Sequence, residues 1–124
     1  MYEPITLGDL EAILERSKPR SIAQLIEDAD ARDDILIKVA RAFERGLFSR
    51  QEAMVQAIQL TGGALTEDEL HQASSLPTEP IGVTRQAVAG LFDKRMLETV
   101  FVDRVDEEGR KILKVQALRL LAEA

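Results

Sequence analysis

The chain has 124 residues, 45% of them hydrophobic and 31% charged, which suits one soluble domain with a real core. It has no cysteine and one histidine, which excludes disulfides, thiolate metal sites and a histidine-rich metal cluster. Aromatics are few, at 4% with no tryptophan, which weighs against a stacking surface for single-stranded nucleic acid, and the net charge of −6 weighs against a nucleic-acid binder.

No apolar run approaches the roughly 18–20 residues of a membrane span, and the N-terminus lacks a basic-then-apolar signal pattern. A cytoplasmic protein that does not enter membranes is the expectation. The charge is unevenly spread. Residues 1–83 hold 8 basic and 15 acidic side chains, a balance of −7, and residues 84–124 hold 8 basic and 7 acidic, a balance of +1.

In chain order, Thr6 can cap a helix whose face is Leu7, Leu10, Ile13 and Leu14. Ser17-Lys18-Pro19-Arg20 ends it, because proline cannot donate and disfavours helix before it. Ser21-Ile22-Ala23-Gln24 has capping-box spacing and leads into Ile22, Leu25, Ile26 and Ala29. The acidic run at 27–34 reads as a solvated helix end leading into a new N-terminus rather than as a cation or docking patch. Ile35, Leu36, Val39, Ala40 and Phe43 form the next helix, stopped by Gly46. A second capping box, Ser49–Glu52, opens a helix through Leu60, and Thr61-Gly62-Gly63 closes it. The glycine pair lacks the Gly-Lys-Ser/Thr continuation of a phosphate loop and reads as a turn. Ala64-Leu65 can form a short strand beside the hairpin that follows. Thr66–Glu69 is a third capping box, with Leu70 and Ala73 on the inner face. His71, alone among acids, suits a surface or core-edge position better than a ligand's.

Gly82–Ala117 is the most informative stretch. Thr84 can cap a helix running to Arg95, with Ala87, Val88, Leu91 and Phe92 as its apolar stripe. Gln86, Ala89, Gly90 and Asp93 fall opposite, with Arg85 and Lys94 on the flanks. After Arg95 the period changes: β-branched runs at Thr99–Val105 and Lys111–Val115 flank the polar turn Asp106-Glu107-Glu108-Gly109, a hairpin pattern. Leu70, Val88, Leu91, Phe92 and Leu97 are the expected core. Ala117–Ala122 is a short helix or an extension of the second strand.

Helix, turn, helix, then hairpin is the order of a winged helix-turn-helix. Thr84–Leu97 resembles the recognition helix of MarR-like and ArsR-like bacterial transcription regulators, and Val100–Val115 resembles their wing. Gly109-Arg110-Lys111 is similar to the Asp-Arg-Arg step after the MarR wing tip. The resemblance covers residues 47–120. It departs from the family in a helix about one turn shorter, in glycine for the wing aspartate, and in a helix–helix connection at 75–82 longer than the usual turn. The fold it implies is mostly α with a small β-hairpin wing (α+β), a winged helix-turn-helix with extra N-terminal helices. Residues 1–46 would be a helical extension serving a homodimer, and residues 47–124 the winged helix, in one compact unit.

What the resemblance implies in function is DNA-binding transcription regulation. Thr84, Arg85, Gln86, Lys94, Arg104, Arg110 and Lys111 are the candidate DNA-binding residues. Gln86 can read adenine by a bidentate contact, and Arg85 can reach guanine or phosphate. Lys94, Arg104, Arg110 and Lys111 suit phosphates. Arg104 can instead pair within the hairpin. The alternative is a winged-helix module that binds a protein partner and no DNA, favoured by a pI near 4.8, by Asp93 on the outward face and by Gly90 in mid-helix. No nucleophile–base pair or nucleotide loop is present, so neither an enzyme nor a cofactor is expected.

Overall fold

A computed structural model describes residues 22–106 and 108–121. Four helices and a small antiparallel sheet make an α+β unit: α1 (Ile22–Glu44), α2 (Arg50–Thr61), α3 (Glu67–Ser74), α4 (Ile81–Asp93), β1 (Leu97–Val105) and β2 (Lys111–Leu120). The expected helix over Leu7–Leu14 and the Ser21 cap lie outside the described residues.

The acidic run does not separate two helices. It sits inside α1, a single 23-residue helix. No glycine or proline interrupts residues 22–44, and the exposed aspartates face water or pair along the helix, as Asp34 does with Lys38 at 3.1 Å. Leu25, Leu36 and Val39 form the inward stripe. Gly46, at φ 77°, takes the left-handed turn after the helix and donates to Phe43 O, while Leu47 N–H reaches Ala42 O.

Both remaining capping boxes form as the sequence predicts. Ser49 Oγ accepts from Glu52 N–H while Glu52 accepts from Ser49 N–H, and Thr66 and Glu69 repeat the exchange at α3. Between them Leu65 bridges Leu118 through two backbone hydrogen bonds of 2.9 and 2.8 Å, adding a one-residue third strand to the outer edge of β2. Strands β1 and β2 run in register from Leu97↔Leu120 to Val105↔Lys111, with a bulge after Val102. Residues 117–120 thus extend the second strand rather than forming a helix.

The start of α4 departs from expectation. Pro80, in extended conformation, precedes the first turn, and no side chain caps it. Pro80 has a fixed φ suited to helix entry, and Gly82 does not stop the chain from coiling. The helix therefore begins three residues before Thr84. Thr84 lies inside the fold at 0% exposure rather than at a cap.

Leu36, Met54, Leu65, Leu70, Leu91 and Leu118 meet in one buried cluster, with Ala53, Ala57 and Ala73 letting α2 and α3 approach closely. Leu70, Val88, Leu91 and Leu97 are buried as expected. Phe92 is not; it is 38% exposed. Val88 and Leu91 already fill the inward arc of α4, and Phe92, one step further round, is turned to its edge. Leu91→Ala should therefore cost about 2–5 kcal/mol in denaturant unfolding, and Phe92→Ala less than half as much.

Candidate nucleic-acid interface

The connection between α3 and α4 is braced from α2. Arg50 Nη1 donates to Ser74 O at 2.6 Å, and the guanidinium grips Glu79 with contacts of 2.6 and 3.2 Å. Glu79 also accepts from Leu76 N–H at 2.7 Å. The Arg50 bond, then the Leu76 bond, hold the Glu79 carboxyl below its ordinary range. Arg50 lies over the Phe43 ring, 5.2 Å from its centre. The sequence reading placed Arg50 only within a capping box. Its partner is 29 residues away, and no local pattern signals that pairing.

Across the two helices, His71 Nδ1 and Thr84 Oγ1 share a hydrogen bond of 2.6 Å. His71 is half-buried at the core edge, and Thr84 is removed from the candidate contacts, since its hydroxyl faces inward. The outward face of α4 keeps Arg85, Gln86, Ala89 and Asp93 exposed. Arg85 Nε lies 3.2 Å from Glu67 Oε2, and both side chains are well exposed, so the pair is weak and exchangeable.

Gly90 does not belong to that outward face. A Cβ there would stand 2.5 Å from Gln51 Nε2. The Gln51 amide donates to Ala87 O at 3.3 Å and accepts from Lys94 Nζ at 2.7 Å, tying α2 to the end of α4. A side chain at residue 90 would have to displace the Gln51 amide from this tie.

The hairpin cations are largely spoken for by acids. Arg104 is clamped by Glu69: Nε to Oε2 and Nη2 to Oε1, each at 3.1 Å, with Nη2 also donating to Ala64 O at 2.8 Å. From α1, Arg32 Nε lies 2.7 Å from the same Glu69 Oε2 at an angle poor for hydrogen bonding, so its attraction is chiefly coulombic. Arg104 is thus a structural residue, and its position leaves it unavailable to a phosphate. At the hairpin end Arg110 pairs with Asp106 and Glu108, each at 2.9 Å, and Lys111 lies 3.8 Å from Asp103. Both pairings involve groups with solvent access.

Of the seven sequence candidates, the structure leaves Arg85, Gln86 and Lys94 along α4 and Arg110 and Lys111 on the hairpin. Among the described residues no group of three acids or histidines is placed to hold a metal. No helix among them is long and apolar enough to cross a membrane.

Burial alone would push the Glu69 carboxyl up. The Arg104 and Thr66 hydrogen bonds, with the charges of Arg104 and Arg32, outweigh it and hold the group below its ordinary value. A folded-state pKa below the unfolded one contributes stability that is present above the unfolded value, about 4.3, and lost as pH falls through the folded value. Unfolding of the parent should therefore become easier as pH drops below about 4.3, and Glu69→Gln should remove part of that dependence. At pH 7, Glu69→Gln should cost about 3 kcal/mol, because two guanidinium groups lose their shared carboxylate. Denaturant titrations of both proteins across pH check this. No family model matches the chain, nor does a curated protein or a solved structure.

Proposed function

We propose that residues 47–120 are a winged helix-turn-helix and that the chain is a DNA-binding transcription regulator of MarR-like kind. The observation that carries this reading is the outward face of α4. Gln86, beside Ala89, is exposed there on a helix whose other sides are packed or braced. The element order supports it: α2, the Leu65 strand, α3, α4, then a hairpin in which β2 lies between β1 and Leu65. In this reading α4 enters the major groove and Gln86 reads a base edge. Arg85, Lys94, Arg110 and Lys111 meet phosphates, exchanging exposed partners for phosphate oxygens.

A homodimer is part of the proposal, since a two-fold axis matches a palindromic site. Ile22, Ile26 and Ile37 are exposed on α1, which lies within the expected dimer-forming residues 1–46. Light scattering at tens of micromolar should give twice the 13.8 kDa of one chain.

A second reading, a winged-helix module for a protein partner, is favoured by a specific observation. Phe92 on α4, Met96 in the link after it and Phe101 on the hairpin are exposed, and Phe101 is 67% exposed. Apolar groups of this size suit a protein surface better than a phosphate backbone.

Fluorescence anisotropy on a labelled duplex decides between the two. With DNA binding, affinity falls steeply with salt, and Gln86→Ala costs about 1–3 kcal/mol on the preferred site without changing the salt slope. If the parent shows no binding at about 50 mM salt, the partner reading takes its place.

A further inference from the structure

Two cations left out of the contacts above are singled out by backbone conformation. Arg95 and Lys114 have φ of 58° and 57°, the non-glycine residues at positive φ among the described residues. Arg95 follows α4. Its N–H reaches Phe92 O at 2.9 Å and Met96 N–H reaches Leu91 O at 3.0 Å, a helix closure that ordinarily places glycine at the left-handed position. Lys114 lies at the bulge in β2, between the pairs Val102↔Val115 and Arg104↔Ile112, where two residues of β2 stand opposite Asp103. A left-handed residue in a bulge is also ordinarily glycine. At both places a Cβ crowds a carbonyl oxygen, so each side chain is held at a cost to stability.

Among the described residues nothing compensates. Both residues are exposed, and neither side chain has a hydrogen bond or ion pair among the described residues. The neighbouring cations differ. Arg85, Arg104, Arg110, Lys111 and Arg119 each lie against a carboxylate, and Lys94 against Gln51. Strained residues that carry an unpartnered group are characteristic of contact sites. Arg95 stands at the end of α4 and Lys114 in the hairpin, the two elements of the proposed interface.

We propose that Arg95 and Lys114 contact phosphate oxygens of duplex DNA. This rests on the DNA-binding reading and deepens it. An unpartnered guanidinium or ammonium takes a phosphate oxygen without first leaving a carboxylate, as Arg85 and Arg110 must. The unpaired cations therefore carry more of the backbone contact than the paired ones.

The test uses Arg95→Gly and Lys114→Gly, singly and together, in the full chain. Thermal melts are combined with anisotropy on a labelled mixed-sequence duplex over a salt series. Each glycine should raise Tm by about 2–5 °C, because the left-handed strain is relieved. Each should also weaken binding to every sequence alike and flatten the slope of log K against log salt by about 0.9. Arg95→Lys and Lys114→Arg keep the charge and the conformation, and should keep the parent's slope. Stability and affinity moving in opposite directions is the signature, since a residue that merely supports the fold lowers both. A parent that binds while both glycine variants keep its slope overturns the phosphate assignment and leaves the DNA reading standing. A parent that does not bind at about 50 mM salt overturns both. A lower Tm in the glycine variants overturns the strain on which the assignment depends.

Discussion

Glu69 holds three parts of the fold at once. Its carboxylate accepts from Thr66 N–H and so starts α3, it grips Arg104 from the hairpin, and it faces Arg32 from α1. A carboxylate this enclosed is unfavourable without partners, and so are the two guanidinium groups beside it. Each of the three is tolerable only while the others stay in place. Such clusters add little net stability over apolar packing, but they do not survive the loss of one member. What the cluster supplies here is geometry. It fixes how the hairpin stands against α1 and the start of α3, while burial of Leu36, Met54, Leu70 and Leu91 supplies the driving force.

A second brace serves the turn between α3 and α4. Arg50 joins α2 to Ser74 and Glu79, and His71 joins α3 to Thr84. With its inner side occupied by Val88, Leu91, Thr84 and the Gln51 contact, α4 is held from several directions. Its remaining side is therefore presented at a fixed angle, and a contact made there needs little ordering of the backbone.

The charge pattern has a further consequence. Much of the basic character of residues 84–121 is neutralised locally by Glu67, Glu69, Glu98, Asp103, Asp106 and Glu108. The field around the hairpin is then weaker than a count of its cations suggests. Exposed pairs of this kind are labile and screened by salt, so the cations at the surface remain exchangeable, whereas Arg104 does not. In the proposed DNA-binding reading, the contact depends on a few specific side chains more than on a broad basic surface.

Where structure is decided by neighbours in sequence, it was legible. The Ser49 and Thr66 caps, the stop at Gly46 and the change from helical to strand period after Arg95 all follow from residues within a few positions of one another. The continuity of α1 is not legible in the sequence because acidic residues resemble a helix boundary, yet only a glycine or proline would force one. The sequence offers Thr84 as a cap because a threonine at a helix start and a threonine inside a first turn look alike until its partner is known. Sequence alone determined the α+β composition, most of the core and the hairpin. Tertiary structure alone decided which cations are clamped, which stand exposed without a partner among the described residues, and how far Phe92 turns out. Those properties depend on groups far apart in the chain, such as Arg104 and Glu69 at a separation of 35 residues. An ion pair's strength is set by distance and exposure in space, and residue spacing encodes neither.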